Sequence, residues 1–117
     1  MSVTDLPTGL WLDGELRRLQ AQGVYITLIH KGNHASGTIL LQMRRRGGVS
    51  ALYSQARAAN GKLAWLPAFN GEEVADDKAD AYIRQALAFD SDAWAVEIET
   101  DDKEIPLGDF AVLPPAL

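Results

Sequence analysis

Three consecutive arginines ahead of two glycines, Arg44-Arg45-Arg46-Gly47-Gly48, form the sharpest chemical cluster in the chain. A hairpin tip carrying three guanidiniums has the charge and the planar donors to clamp phosphates of a nucleic-acid backbone. The competing reading is structural: Arg44 closes a strand and its neighbours pair with carboxylates from elsewhere. A sequence pI of 4.8 is opposite to the usual basic footprint of a nucleic-acid binder. Pairing is therefore preferred, and backbone binding through Arg44–Arg46 is the runner-up. Tyr25 and Tyr53 have faces on which bases can stack, but each suits a core equally well.

The other reactive residue types are sparser. His30 and His34 lie four apart, yet they flank a turn, and no acid or cysteine nearby offers a third ligand. Ser36 follows them without an elbow motif of the G-x-S-x-G kind, so no nucleophile–base pair is framed. Glu97 and Glu99 project from one strand face roughly 7 Å apart, a spacing that paired catalytic carboxylates can have. Alternating acids on the wet face of an edge strand are the commoner cause, and they discourage aggregation. Walker, dinucleotide and calcium-loop motifs are missing. No constellation supplies nucleophile, base and oxyanion donors together, so neither catalytic residues, nor a metal, nor a cofactor is expected.

The charges are unevenly dealt. From Leu16 to Asn70 there is no acid but eight Lys and Arg; from Glu72 onward thirteen acids face only Lys78, Arg84 and Lys103. A formal net charge of −5 thus hides a basic half and an acidic half. Such asymmetry marks a nucleic-acid surface, a partner site, or two halves that neutralise each other in the fold. The absence of cysteine excludes disulfides and thiolate chemistry. At 117 residues, 47% hydrophobic, the chain is one domain's worth with a real core. Neither a leader in MSVTDLPTGL nor a membrane-length apolar run is visible, so a cytoplasmic protein is expected.

Periodicity places these residues on elements. Leu12, Leu16 and Leu19, with Trp11 beside them, predict a helix over Thr8 to Gln22, capped by Thr8 and stopped at Gly23. Val24–Lys31, Thr38–Arg44, Val49–Arg57 and Lys62–Leu66 read as four strands of an antiparallel meander, turned by KGNHASG, Gly47-Gly48 and Asn60-Gly61. Glu72 to Phe89 reads as a second helix with Ala79, Tyr82, Ile83, Ala86 and Leu87 on its buried face. Trp94, Val96 and Ile98 mark a fifth strand with one wet face. The expected class is α+β, with both helices on one face of the sheet. Residues 1–100 form the domain, and 101–117 an apolar, proline-containing tail.

The runs LPTGLWLDGELRRLQAQG, ALYSQAR and ADAYIRQALAFDSDAWAVEIE resemble a family of small bacterial proteins known only as a domain of unknown function. The likeness spans roughly Leu6 to Glu99 and includes Trp11, Arg17-Arg18 and Asp80-Ala81-Tyr82-Ile83. The family's Lys-Gly-Asp turn is Lys31-Gly32-Asn33 here, and the end after Glu99 departs from the pattern. The resemblance implies the fold and a bacterial, cytoplasmic origin. It implies no chemistry.

In the meander, the Arg45–Gly48 hairpin and the start of the second helix fall at the same end, so the arginines are expected to meet the acids there. If Ile26, Leu28, Ile39 and Leu41 face the helices, then Tyr25, Ile29 and Leu40 point away as an apolar patch that a monomer rarely leaves bare. Either the tail, with Ile105, Leu107 and Phe110, folds across that patch, or a second copy or protein partner covers it. The function expected is a small non-enzymatic protein-interaction module, self-associating as a homodimer. An enzyme whose site leaves no trace in sequence is the other alternative.

Overall fold

The computed structural model describes residues 6–115; the first five residues, on which the leader expectation partly rests, and the last two lie outside the described residues. Helix α1 (Thr8–Ala21) buries Trp11, Leu12 and Leu19 of the predicted stripe, while Leu16 is only half-buried against them. Its N-cap is Pro7, with no side-chain cap bond, so Thr8 is the first helical residue and not the cap. Gly23 ends the turn at φ 83°, the left-handed stop expected of it. Strands β1 (Tyr25–His30), β2 (Ile39–Arg44), β3 (Val49–Arg57) and β4 (Leu63–Pro67) follow, each within a residue or so of its predicted bounds. Gly47 and Gly48 both take positive φ (87° and 80°) in the β2–β3 hairpin, a path that side chains oppose.

After a 3-10 turn at Phe69–Gly71, the chain adds a short strand β5 (Val74–Ala75) against the start of β3 before α2 (Asp76–Phe89). Helix α2 therefore starts four residues later than predicted, because the chain runs extended into that pairing first. Strand β6 (Trp94–Glu99) and the two-residue β7 (Ala111–Val112) complete the set.

The class is α+β, but the sheet is mixed. Its order is β1-β6-β2-β3-β4-β7, with β5 on β3. The expected four-stranded meander is thus interrupted: β6 enters between β1 and β2, antiparallel to the first and parallel to the second. The physical reason is that both faces of its first half are apolar, while Glu97 on the second face is paired with an arginine. Trp94, Val96 and Ile98 are at most 3% exposed on one side, and Ala93 and Ala95 equally so on the other. An edge would leave one of these faces wet; the sheet centre covers both. Residues 31–38, largely exposed, consequently form a crossover that carries the chain past β6, not the hairpin turn of a meander read from KGNHASG. Trp94 Nε1 donates to the Asn33 carbonyl (2.8 Å) and pins the crossover in place. A Cβ on Gly32 would fall 2.2 Å from the Asp92 carbonyl oxygen, so only glycine permits this approach.

The two helices lie on opposite faces, which corrects the expectation that they share one. Ile39, Leu41, Met43, Val96 and Ile98 join Trp11, Leu12 and Leu19 in one core under α1. Leu40, Leu52 and Ala95 join Ala79 and Ile83 in a second core under α2. Alternation along β2 sends odd and even residues to different helices, and all five residues from Ile39 to Met43 are buried. The C-terminal segment closes the α1 side. Leu107 is fully buried there, Phe110 sits against Trp11 and Trp65 (ring centroids 5.5 and 5.8 Å), and β7 pairs with β4.

Candidate functional site

The arginine hairpin is built by the β2–β3 turn and faces the acids as the topology required. Arg44 leaves the α2 face of β2 and meets three carboxylates: Asp76 (2.9 Å), Asp80 (3.2 Å) and Glu97 (2.7 Å). These partners hold its guanidinium far above its ordinary range, with the Glu97 bond the largest cause. Arg45, with a buried side chain, pairs with Glu73 at 2.9 Å and donates to the carbonyls of Thr100 and Asp102. Arg46 is exposed and bonds Asp101 through both its backbone and its side chain. That backbone N–H is the first cause of a depressed Asp101 carboxyl. All three guanidiniums are thus engaged within the chain.

Beneath Arg44 lies a polar network that sequence reading missed. Gln42 and Ser50 are buried and joined (3.1 Å), and Gln42 also donates to Asp80 while the Ser50 hydroxyl donates to Asp76. A glutamine inside the otherwise apolar run Ile39–Met43 was the available signal. Glu97 is not the wet-face residue of an edge strand: it lies on a central strand under Arg44, while Glu99 is exposed at the end of β6. The pair does not converge on a common cleft.

His30 Nδ1 lies 3.0 Å from the Ala93 carbonyl ahead of β6, and the His34 carbonyl accepts from the Gly9 N–H of α1, so the two histidines are tied to different neighbours. Among the described residues no group of three His, Cys, Asp or Glu is disposed to hold a metal. A second latch lies on α1. Glu15 accepts from Arg18 and from the Gly108 N–H (2.7 Å), and Arg18 donates onward to the Pro106 carbonyl. The Arg18 bond is the leading cause of a lowered Glu15 carboxyl.

The expected apolar patch divides. Leu40 does not point to solvent; it is 7% exposed in the core under α2. Phe110 serves the α1 side, so the tail does not lie over Tyr25 and Ile29. Those two remain open, at 75% and 44% exposed, with Leu28 at 36% between them. They sit on β1, an end strand of the sheet, whose residues Tyr25–His30 carry no acid, lysine, arginine or proline. A bulge between Leu28 and His30 is the one irregularity in its pairing. The other end of the sheet is the two-residue β7.

These features define a small α+β domain with a two-faced mixed sheet, an internally neutralised arginine cluster and one long open edge. The chain belongs to the DUF1491 family, proteins of unknown function, whose family model matches residues 6–108. It is similar to a DUF1491 family protein from Caulobacter crescentus, whose crystal structure is 30% identical, with 91% of this chain and 98% of that one covered at a TM-score of 0.77. An NMR structure of a DUF1491 family protein from the same organism is 29% identical, covering 91% of this chain and 96% of that one at a TM-score of 0.75. A solution structure of an A. tumefaciens protein is 28% identical, covering 95% and 98% at a TM-score of 0.71. No curated protein matches the chain at a significant level. Among the described residues no helix is long and apolar enough to cross a membrane.

Proposed function

We propose that this chain is a non-enzymatic protein-interaction module that works through the open edge of β1. The observation that carries this reading is an uncharged end strand with Tyr25 and Ile29 exposed on one face and Leu28 partly exposed on the other. Sheet edges offer unpaired N–H and C=O groups to any passing strand, and proteins blunt them with charges, prolines or covers. Apart from its bulge, β1 carries none of these. Strand addition at such an edge draws affinity from the main chain and selectivity from the flanking side chains. The arginines, already paired, support protein contact over phosphate. A bacterial, cytoplasmic setting belongs to the same reading, and the sources of the similar structures support its first half.

The test is affinity capture from bacterial cells by the natural chain and by a Tyr25→Lys/Ile29→Lys variant, both checked for intact folding by circular dichroism. Loss in the variant of what the natural chain holds, its own copies included, is the expected result. Identical capture by both proteins, or substrate turnover abolished by a single substitution, would sink the proposal.

A further inference from the structure

We infer that the occupant of the β1 edge is a second copy of this chain, paired antiparallel through β1 about a two-fold axis at Thr27. This rests on the reading of β1 as an interaction surface and names its partner.

The first argument is register. Residues directly opposite in an antiparallel pair share a face, so a two-fold axis must pass through a residue position, not between two. An axis at Thr27 sets Tyr25 opposite the partner's Ile29, Ile26 opposite the partner's Leu28, and Thr27 opposite its own copy. Aromatic–β-branched and Thr–Thr pairs are among the favourable cross-strand combinations. The register sets Tyr25 against the partner's Ile29 on one face of the strand, and Leu28 against the partner's Ile26, itself only 6% exposed, on the other.

The second argument is shape. A shallow groove of about 430 Å³ runs beside the first half of β1, lined by Gln20, Gly23, Val24, Tyr25, Ile26 and Thr27, with Glu99 at its end. The partner's Leu28, opposite Ile26, falls on the side of the strand where Val24, Ile26 and the end of α1 border that groove. An isologous interface requires each copy to supply both the groove and the residue that fills it; the end of α1, the turn after it, β1 and Glu99 supply the groove, and Leu28 of β1 the residue.

The third argument is charge. Two copies at formal net charge −5 repel at long range, and a contact strand without charges adds no like-charge pair of its own at close range. No charged residue lies between Leu19 and His30, and an edge without charges has little with which to select a different strand. Its own apolar pattern is the complement it fits. A strand pair this short makes a small interface, so association is expected to depend on concentration.

Sedimentation velocity from low micromolar to near-millimolar concentration tests the idea on the full chain. The natural protein is expected to dimerise. Thr27→Lys places two like charges on the axis and is expected to raise the dissociation constant at least tenfold. Thr27 is exposed, so the fold should tolerate the change. Thr27→Cys gives an independent arm, because the natural chain has no cysteine to compete. Cα atoms directly across an antiparallel pair stand about 4.5–5.5 Å apart, within disulfide reach. Mild oxidation of the Thr27→Cys variant should therefore link the two copies across the axis without loss of secondary structure. A monomer at every concentration, a dimer indifferent to Thr27→Lys, or a Thr27→Cys protein that does not link each overturns the second copy as the β1 partner. If a cellular protein is nevertheless lost on the Tyr25→Lys/Ile29→Lys change, the interaction module stands with another occupant. If nothing is lost, both readings fall together.

Discussion

At Arg44 one guanidinium serves three carboxylates from two elements, with Gln42 and Ser50 closing the network below. Replacing it by alanine leaves Asp76, Asp80 and Glu97 crowded without a counter-charge. A fully buried pair broken this way costs about 3–5 kcal/mol. Because 27% of the Arg44 side chain is open to solvent, a loss of roughly 2–3 kcal/mol is expected after solvent screening. In a domain of this size that lowers Tm by roughly 8–15 °C, readable by calorimetry. Arg44→Lys keeps the charge but not the forked donors, and should fall between the two. Glu15 makes a pH-dependent prediction. Its carboxyl is lowered from 4.5, first by Arg18 and also by the Gly108 N–H. A depressed carboxylate contributes stability that is present above its unfolded value and lost as pH falls through its folded value. The latch should therefore weaken on acidification below about pH 4.5. Glu15→Gln should flatten the slope of Tm against pH in that range, and an unchanged slope would show the latch to be idle.

Among the elements, those defined by local pattern were legible and those defined by long-range pairing were not. Helix α1 and strands β1 to β4 fall where apolar spacing and glycine turns put them. The place of β6 depended on how its alanines are counted. Ala95 reads as a small neutral residue on a wet face, yet it is buried under α2, and Glu97 beside it is held by Arg44. The C-terminal segment was rightly too apolar for a solvated end, but which face it closes depended on α1 leaving room for Leu107 and Phe110. Leu107 is fully buried. Leu107→Ala should cost about 2–5 kcal/mol by transfer and cavity effects. It should also speed amide exchange at Leu113, whose N–H donates to the Trp65 carbonyl. Unchanged denaturant midpoints would mean the segment contributes nothing to the core.

For the molecule as a whole, the arginine hairpin of the basic stretch meets acids of the acidic stretch at one end of the sheet. Arg44, Arg45 and Arg46 are paired with Asp76, Asp80, Glu97, Glu73 and Asp101 across 28 to 55 residues of sequence. The Cα radius of gyration is 13.5 Å, so these stretches are close neighbours in a small body. An arginine hairpin already paired with five carboxylates of its own chain should release few counterions on meeting a polyanion. RNA and DNA mobility shifts at physiological salt are therefore expected to be blank. Micromolar binding lost in an Arg44/Arg45/Arg46→Ala variant would restore the phosphate reading.

Local features could be read from the residues alone: where helices and strands run, which residues turn the chain, and that eight cations lie in a stretch without acids. Hydrophobic period and glycine geometry act over a few residues, so they are readable without the fold. Only the assembled chain shows that β6 divides β1 from β2, that the helices take opposite faces, and that Leu40 is covered while Tyr25 and Ile29 are not. Those outcomes turn on which two-sided strand wins the centre of the sheet. That is a competition among distant segments for burial on both faces, and no window of sequence contains all the competitors.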